Sequence, residues 1–270
     1  MEKIINMVID CFTFFNELDM LEFRLTELDE VVDTFIIVES TKTFSGMSKE
    51  LYFHKNKKRF SKWLHKIHYH VVDDAPTGFS TEHTWFREGH QRNSIKFPLS
   101  QISPKRKDII LLSDLDEIPS VDLLKKFKTT KVPNNAVCLN MDWYYYNLTT
   151  KINVPPNDKP KCFYYDVFID SGLTLDQIRN QHWTQVDNAG WHLTYFMSVD
   201  EIIKKVESFS HQEYNTKEIL NPERLRELIK EGKDIFPGRK ENYLFYNLPI
   251  DQNQFLPKNY KFWLENNRTL

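Results

Sequence analysis

The sequence predicts an α/β fold, a mostly parallel sheet flanked by helices. Three observations predict it. Near the amino terminus a strand pattern, a helical pattern and a second strand pattern follow one another within about 35 residues, a βαβ unit that is right-handed by default. In mid-chain, Ile109 to Ser113 are all apolar or small, as in a strand buried on both faces of a parallel sheet. Strand-like and helix-like segments then keep alternating, and no composition shift marks a linker, so a single domain over 1–270 is expected.

Taken in order, Ile4 to Phe15 is apolar and β-branched and reads as the first strand. Asn16 can cap the following helix, where Leu18, Leu21, Leu25 and Leu28 recur at helical spacing with Glu17, Asp19 and Glu22 in the first turns. Val31 to Glu39 is the second strand. Thr43 to His54 reads as a loop with a short strand at Leu51-Tyr52-Phe53, and the basic stretch Lys55 to Lys66 as a solvated helix. The third strand is Ile67 to Val72, whose histidines alternate with apolar residues and are expected outward. Trp85 to Phe97 reads as a helix with Arg87, Gln91 and Arg92 near one face; it leads into the mid-chain strand, so its end can approach that strand's mouth. A diphosphate there would want such an arginine; an ordinary surface arginine would look the same.

Beyond that strand, Val121 to Phe127 is a short helix, and Ala136 to Tyr146 reads as one strand with an aromatic tail, suited to stacking on sugars or to core packing. Asn153 to Pro160 is a proline-rich loop. Leu173 to Asn180 reads as a short helix with Asp176 and Arg179 exposed. Gly190 permits a bend before a strand that puts His192 and Thr194 on one face and Trp191, Leu193 and Tyr195 on the other. Helices follow at Ser198 to His211 and Glu223 to Glu231, the second stopped at Gly232. The tail runs from Phe255 to Leu264.

Composition excludes several function classes. Hydrophobic residues are 40% and charged residues 27%, and the net charge is −2, so bulk electrostatics favour neither nucleic acid nor an anionic membrane. With 7 glycines there is no phosphate-cradling loop, dinucleotide fingerprint or P-loop. Bound phosphates must then be neutralised by a metal and by Lys or Arg. Cys11, Cys138 and Cys162 form no close pair and suggest neither a disulfide framework nor a zinc site. The amino terminus lacks the apolar core of a signal peptide, and no apolar run approaches the ~18 residues of a membrane span, so a cytoplasmic location is expected.

The chemistry concentrates at Asp114-Leu115-Asp116-Glu117-Ile118-Pro119. Three carboxylates occupy four positions after the buried strand, and Pro119 ends it. Alternation puts Asp114 and Asp116 on one side, at the carboxyl end of a strand, where open α/β sheets bind ligands. Adjacent carboxylates repel unless a cation lies between them, and hard oxygen ligands suit Mg²⁺ or Mn²⁺. A solvated acidic turn would carry the same residues. His192, after its glycine bend, is either a third ligand or a structural histidine.

In this order, several stretches resemble glycosyltransferase family 17, which includes the enzymes that add the bisecting N-acetylglucosamine to N-glycans and shorter bacterial and viral relatives. They are Phe15-Asn16-Glu17-Leu18-Asp19 with Glu22, Arg24 and Glu27-Leu28; Val31-Val32-Asp33 with Phe35 and Val38-Glu39; Gln91-Arg92-Asn93; Ser113 to Pro119; and Ala189-Gly190-Trp191-His192. Leu256-Pro257 with Asn259 and Phe262 is a weaker match. The likeness runs from about residue 4 to 265 but skips 155–187, where acceptor contacts can lie.

The resemblance implies a GT-A fold, a nucleotide-sugar donor and inversion at the anomeric carbon. With it, Asp114, Asp116 and His192 are the expected ligands of Mn²⁺ or Mg²⁺, and Arg87, Gln91, Arg92, Asp114, Glu117 and Trp191 the expected substrate-binding residues. An inverting transfer also needs a carboxylate base on the acceptor hydroxyl. Asp187 is the first candidate, with Asp170 and Asp166 as alternatives. The expected reaction moves N-acetylglucosamine from a UDP-sugar to a glycan or glycolipid acceptor. A metal-dependent nucleotide-sugar hydrolase and a non-catalytic carbohydrate-binding protein are the competing readings.

Overall fold

The computed structural model describes residues 6–155, 158–238 and 243–265. The chain begins with the expected βαβ unit: β1 (Val8–Phe14), α1 (Leu18–Leu28) and β2 (Thr34–Ser40). Ile4 and Ile5, the expected start of the first strand, lie outside the described residues, as do two residues of the proline-rich loop, 156–157. The strand expected at Leu51-Tyr52-Phe53 is instead the start of a helix, α2 (Tyr52–Asn56). Its cause is tertiary: the buried Glu39 carboxylate accepts from the Tyr52 and Phe53 amides at 2.6 and 3.1 Å, serving the unpaired donors of a helix amino terminus. A 3₁₀ segment, Lys57–Trp63, replaces the expected solvated helix and buries Phe60 and Trp63.

β3 (Ile67–Val72) follows as expected. The helix expected over 85–97 is two, α3 (Thr81–Asn93) and α4 (Lys96–Ile102). Pro98 accounts for the break, since its ring would clash with the Ser94 carbonyl in a continuous helix, yet it fits the first turn of a new one. Then come β4 (Ile109–Leu112), β5 (Glu117–Pro119), α5 (Val121–Thr129), β6 (Ala136–Leu139), β7 (Asp142–Tyr145), β8 (Thr150–Asn153) and β9 (Lys161–Tyr164). The chain ends with α6 (Tyr165–Ser171), α7 (Leu175–Arg179), β10 (Gln185–Val186), β11 (Gly190–Thr194), α8 (Val199–Ser208), α9 (Pro222–Lys230), β12 (Leu244–Asn247) and α10 (Lys261–Glu265).

The strands form two sheets. The larger has the order β10-β6-β9-β4-β1-β2-β3 and is parallel except for β9, which runs against both its neighbours. This mostly parallel sheet with flanking helices is the expected α/β architecture. The smaller sheet, β12-β8-β7-β11-β5, is antiparallel except for the β7–β11 pair. Two expected single strands are divided between the sheets. Residues 136–146 split at Asn140, whose amide donates to the Val186 carbonyl and whose carbonyl accepts from Ala189, handing the chain from β6 to β7. Residues 109–119 split likewise: β4 stops at Leu112, and β5 pairs with β11 instead. Among the described residues no helix is long and apolar enough to cross a membrane.

Candidate active site

From β1 the chain winds to β2 and β3 on one side, and β4 lies on the other. The crevice at the carboxyl ends of β1 and β4 is therefore a topological switch point, where α/β sheets bind ligands. A cavity of about 660 Å³ opens there, lined by Thr13 to Phe15 at the end of β1, Lys42 to Phe44 after β2, and Asp114 to Asp116 after β4. Gln91 and Arg92 of α3, Trp143 of β7, His192 of β11 and Lys205 of α8 are also on its walls.

The acidic residues sit in a tight turn between β4 and β5, not along a strand. Two buried arginines shape that turn. Arg24, from α1, donates through one terminal nitrogen to the carbonyls of Asp114, Leu115 and Glu117 at 2.8, 3.0 and 2.8 Å. Its charge is met by Asp10 in a bidentate pair at 2.6 and 2.8 Å. Arg179, from the last turn of α7, holds the side chains: it bonds both Glu117 oxygens at 2.9 and 3.1 Å and Asp114 Oδ2 at 2.6 Å. Glu117 in turn accepts from the Asp114 amide at 2.7 Å. Burial alone would raise the Asp114 carboxyl, but Arg179 and Arg92 outweigh it and hold the group below the usual carboxylate range.

Arg179 corrects the sequence reading, which left it exposed; its side chain is 6% exposed. The signal was present, since Arg179 lies four residues after the buried Leu175 on the same helix face. Glu117 is 1% exposed at its side chain, so losing Arg179 would strand a buried charge. Arg179→Met is expected to cost roughly 3–5 kcal/mol, lowering the melting temperature by on the order of 10 °C. Adding Glu117→Gln should recover part of that loss. A single variant melting within about 2 °C of the parent would show that the pair is not needed.

Asp116 and His192 form the second half of the site. Asp116 Oδ1 is 3.5 Å from His192 Nε2, and Oδ2 is 3.1 Å from the Lys205 ammonium. Burial opposes ionisation of Asp116, yet Lys205 and His192 hold it far below the usual carboxylate range. Burial also disfavours a charged His192, but Asp116 outweighs it and raises the imidazole above its ordinary value. Gly190 delivers His192 here. Its φ of +148° is open to glycine, and a Cβ would stand 2.1 Å from the Ile118 carbonyl oxygen, so only glycine lets β11 close on β5. The His192 ring stacks on Trp143 at 4.6 Å and 12°.

One carboxylate and one imidazole stand at a separation that a divalent ion can bridge. Two ligands each about 2.1 Å from one ion lie about 3–3.5 Å apart, which the Asp116–His192 separation matches. Asp114 departs from the expected ligand set, because Arg179 and Arg92 engage its carboxylate. Among the described residues no three His, Cys, Asp or Glu side chains converge as a metal cage. Asp116 and His192 would thus hold an ion only jointly with substrate phosphate oxygens.

The other expected residues divide. Arg92 lines the cavity, pairs with Asp176, donates to Glu88 at 2.8 Å and approaches Asp114 at 3.5 Å. Gln91 also lines it but spends its amide on the Val38 carbonyl at 2.8 Å. Arg87 does not reach the cavity; it donates to the carbonyls of Phe44, Pro76 and Gly78 and so ties two loops together. Glu117 supports the turn from beneath. Trp191 is buried against Phe255, whose carbonyl accepts its indole N–H at 3.0 Å, so it is core, not a substrate contact. Asp166 and Asp170 lie on α6, directly after β9. Tyr164 pairs with Ile109, so α6 is at the amino end of β4, across the sheet from Asp114. Lys107 and Arg106 pair with them there. Asp187 lines a second cavity of about 310 Å³, which shares Trp143 with the first. Lys205 carried no motif and was not singled out from the sequence.

With this geometry in place, the comparisons are specific. The model of glycosyltransferase family 17 matches residues 1–262. The beta-1,4-mannosyl-glycoprotein 4-beta-N-acetylglucosaminyltransferase of Rattus norvegicus is 30% identical over 96% of this chain and 54% of its own length. The Mus musculus protein of that name is 29% identical over the same shares, and the Homo sapiens one 30% identical over 43% of this chain and 22% of its own. The chain thus spans about half the length of the rat and mouse relatives it matches.

Proposed function

The chain belongs to glycosyltransferase family 17, and on that premise we propose that it transfers N-acetylglucosamine from UDP-N-acetylglucosamine to a hydroxyl of a glycan or glycolipid, with inversion. The observation that carries this reading is Asp116 and His192 side by side on the wall of the switch-point cavity, 3.5 Å apart. A bound Mn²⁺ or Mg²⁺ would supply Lewis-acid stabilisation of the leaving diphosphate. Arg179 and Arg24 keep the acidic turn in one conformation, so that Asp116 is oriented before substrate arrives. Asp114, 42% exposed at its side chain and held by Arg179, offers a fixed acceptor to donor hydroxyls. Trp143 presents an aromatic wall to both cavities, suited to a sugar face.

The acceptor hydroxyl must lose a proton on the sugar face opposite the diphosphate. Every carboxylate lining the first cavity is engaged by a cation: Glu17 and Asp116 by Lys205, Glu88 by Arg92, and Asp114 by Arg179. Asp187 differs, for its partner is the neutral Asn140 amide at 2.7 Å. We assign the proton to Asp187, with the acceptor in the second cavity beyond Trp143.

Saturating UDP-N-acetylglucosamine with Mn²⁺ is expected to raise the melting temperature by roughly 5–10 °C, through ligand binding to the folded state alone. EDTA should remove most of that rise. UDP release should require an acceptor sugar. Fast release without acceptor would favour the hydrolase reading, and sugar binding indifferent to Mn²⁺ and EDTA would favour a binding protein.

A further inference from the structure

We infer that Lys205 binds the donor's diphosphate directly and carries the share of diphosphate affinity that survives removal of divalent ions. This rests on the glycosyltransferase reading and deepens it. Lys205 lies in the last turn of α8, a helix fixed at its start by a capping box between Ser198 and Glu201 and along its face by buried Val199, Ile202 and Val206. Its ammonium is 3.1 Å from Asp116 Oδ2 and 3.1 Å from Glu17 Oε1, and it sits 5.7 Å from the centre of the Tyr195 ring. Both carboxylates line the cavity. An ammonium has three donors, and these two partners leave the third for a ligand.

Among the described residues, the other lysines and the arginine on the wall make no ion pair with Asp116. Arg92 is held by Asp176 and Glu88, and Lys49 by Glu39 at 2.8 Å and the Glu50 carbonyl at 2.9 Å. Lys42 stands on the loop after β2, with no ion pair among the described residues to tie it to the acidic turn. Among the described residues that line the cavity, Lys205 alone bridges the turn that would hold an ion and the first turn after β1. An anionic ligand there meets an ammonium fixed in position by Asp116 and Glu17; these carboxylates oppose the ligand's charge, so the contact rests on the directed third N–H.

The test compares UDP with UMP, which lacks the second phosphate, by calorimetric titration of the whole chain in EDTA and in Mn²⁺. In EDTA the parent should prefer UDP over UMP. Lys205→Met should lose that preference, its UDP affinity falling roughly tenfold to hundredfold while UMP affinity stays, and Lys205→Arg should restore part of it. A well-folded Lys205→Met that keeps the parent's preference overturns the inference. A parent that prefers UDP only in Mn²⁺ also overturns it but leaves the glycosyltransferase reading standing; no UDP binding in either buffer overturns both. Should Lys205→Met fail to fold, the Lys205 side-chain ¹³C resonance of the parent decides. A shift with UDP but not with UMP supports the contact, and no shift overturns it.

Discussion

Asp187→Asn is expected to bind UDP-N-acetylglucosamine as the parent does while transferring sugar roughly 10²–10⁴-fold more slowly, the usual contribution of a positioned base. Asn is close to isosteric and can still bond the Asn140 side chain, so the second cavity should keep its shape. What is lost is the carboxylate assigned to take the acceptor's proton. Donor binding and stability therefore stay, and the fall appears in kcat. Asp170→Asn is the matched control: it removes a carboxylate from α6, across the sheet, and should transfer at the parent rate. Single-turnover transfer by both variants decides the assignment, and an Asp187→Asn enzyme as fast as the parent would end it.

Asp116→Asn is the second large effect, with turnover falling ~10²–10³-fold, as when a charge-stabilising element is removed from an active site. The substitution takes a negative charge from between His192 and Lys205. Lys205 keeps Glu17 as its counter-charge, so the fold should survive. Mn²⁺-dependent UDP affinity should fall together with turnover, in contrast to Asp187→Asn, where only transfer falls. Titrating UDP against both variants with and without Mn²⁺ separates the two roles, and parent-like turnover by Asp116→Asn would remove the ion site from the mechanism.

The two variants also show how far a sequence can be read. Asp116 was visible because its evidence is local: an apolar run long enough for a buried strand, then carboxylates, then a proline. His192 was visible for a similar reason, as one glycine bend precedes a strand with clear alternation. Asp187 was reached only through its neighbourhood to that bend. The sequence put Asp187 first among the candidate bases but could not weigh it against the others, since that depends on which carboxylates are neutralised by partners distant in the chain.

By itself the sequence determined the α/β class, the opening βαβ unit, the core strand β4 and the family, because periodicity, turn residues and motif order are properties of neighbouring residues. The tertiary structure alone decided which strands share a sheet, and so placed Asp114 and Asp116 in a turn between two sheets. It turned Leu51-Tyr52-Phe53 from strand to helix through a carboxylate 13 and 14 residues earlier. It brought Arg179 to Glu117 across 62 residues and Lys205 to Asp116 across 89. Such contacts are set by the burial of charge: a carboxylate removed from water must find a cation wherever the fold supplies one, and local sequence does not record that address.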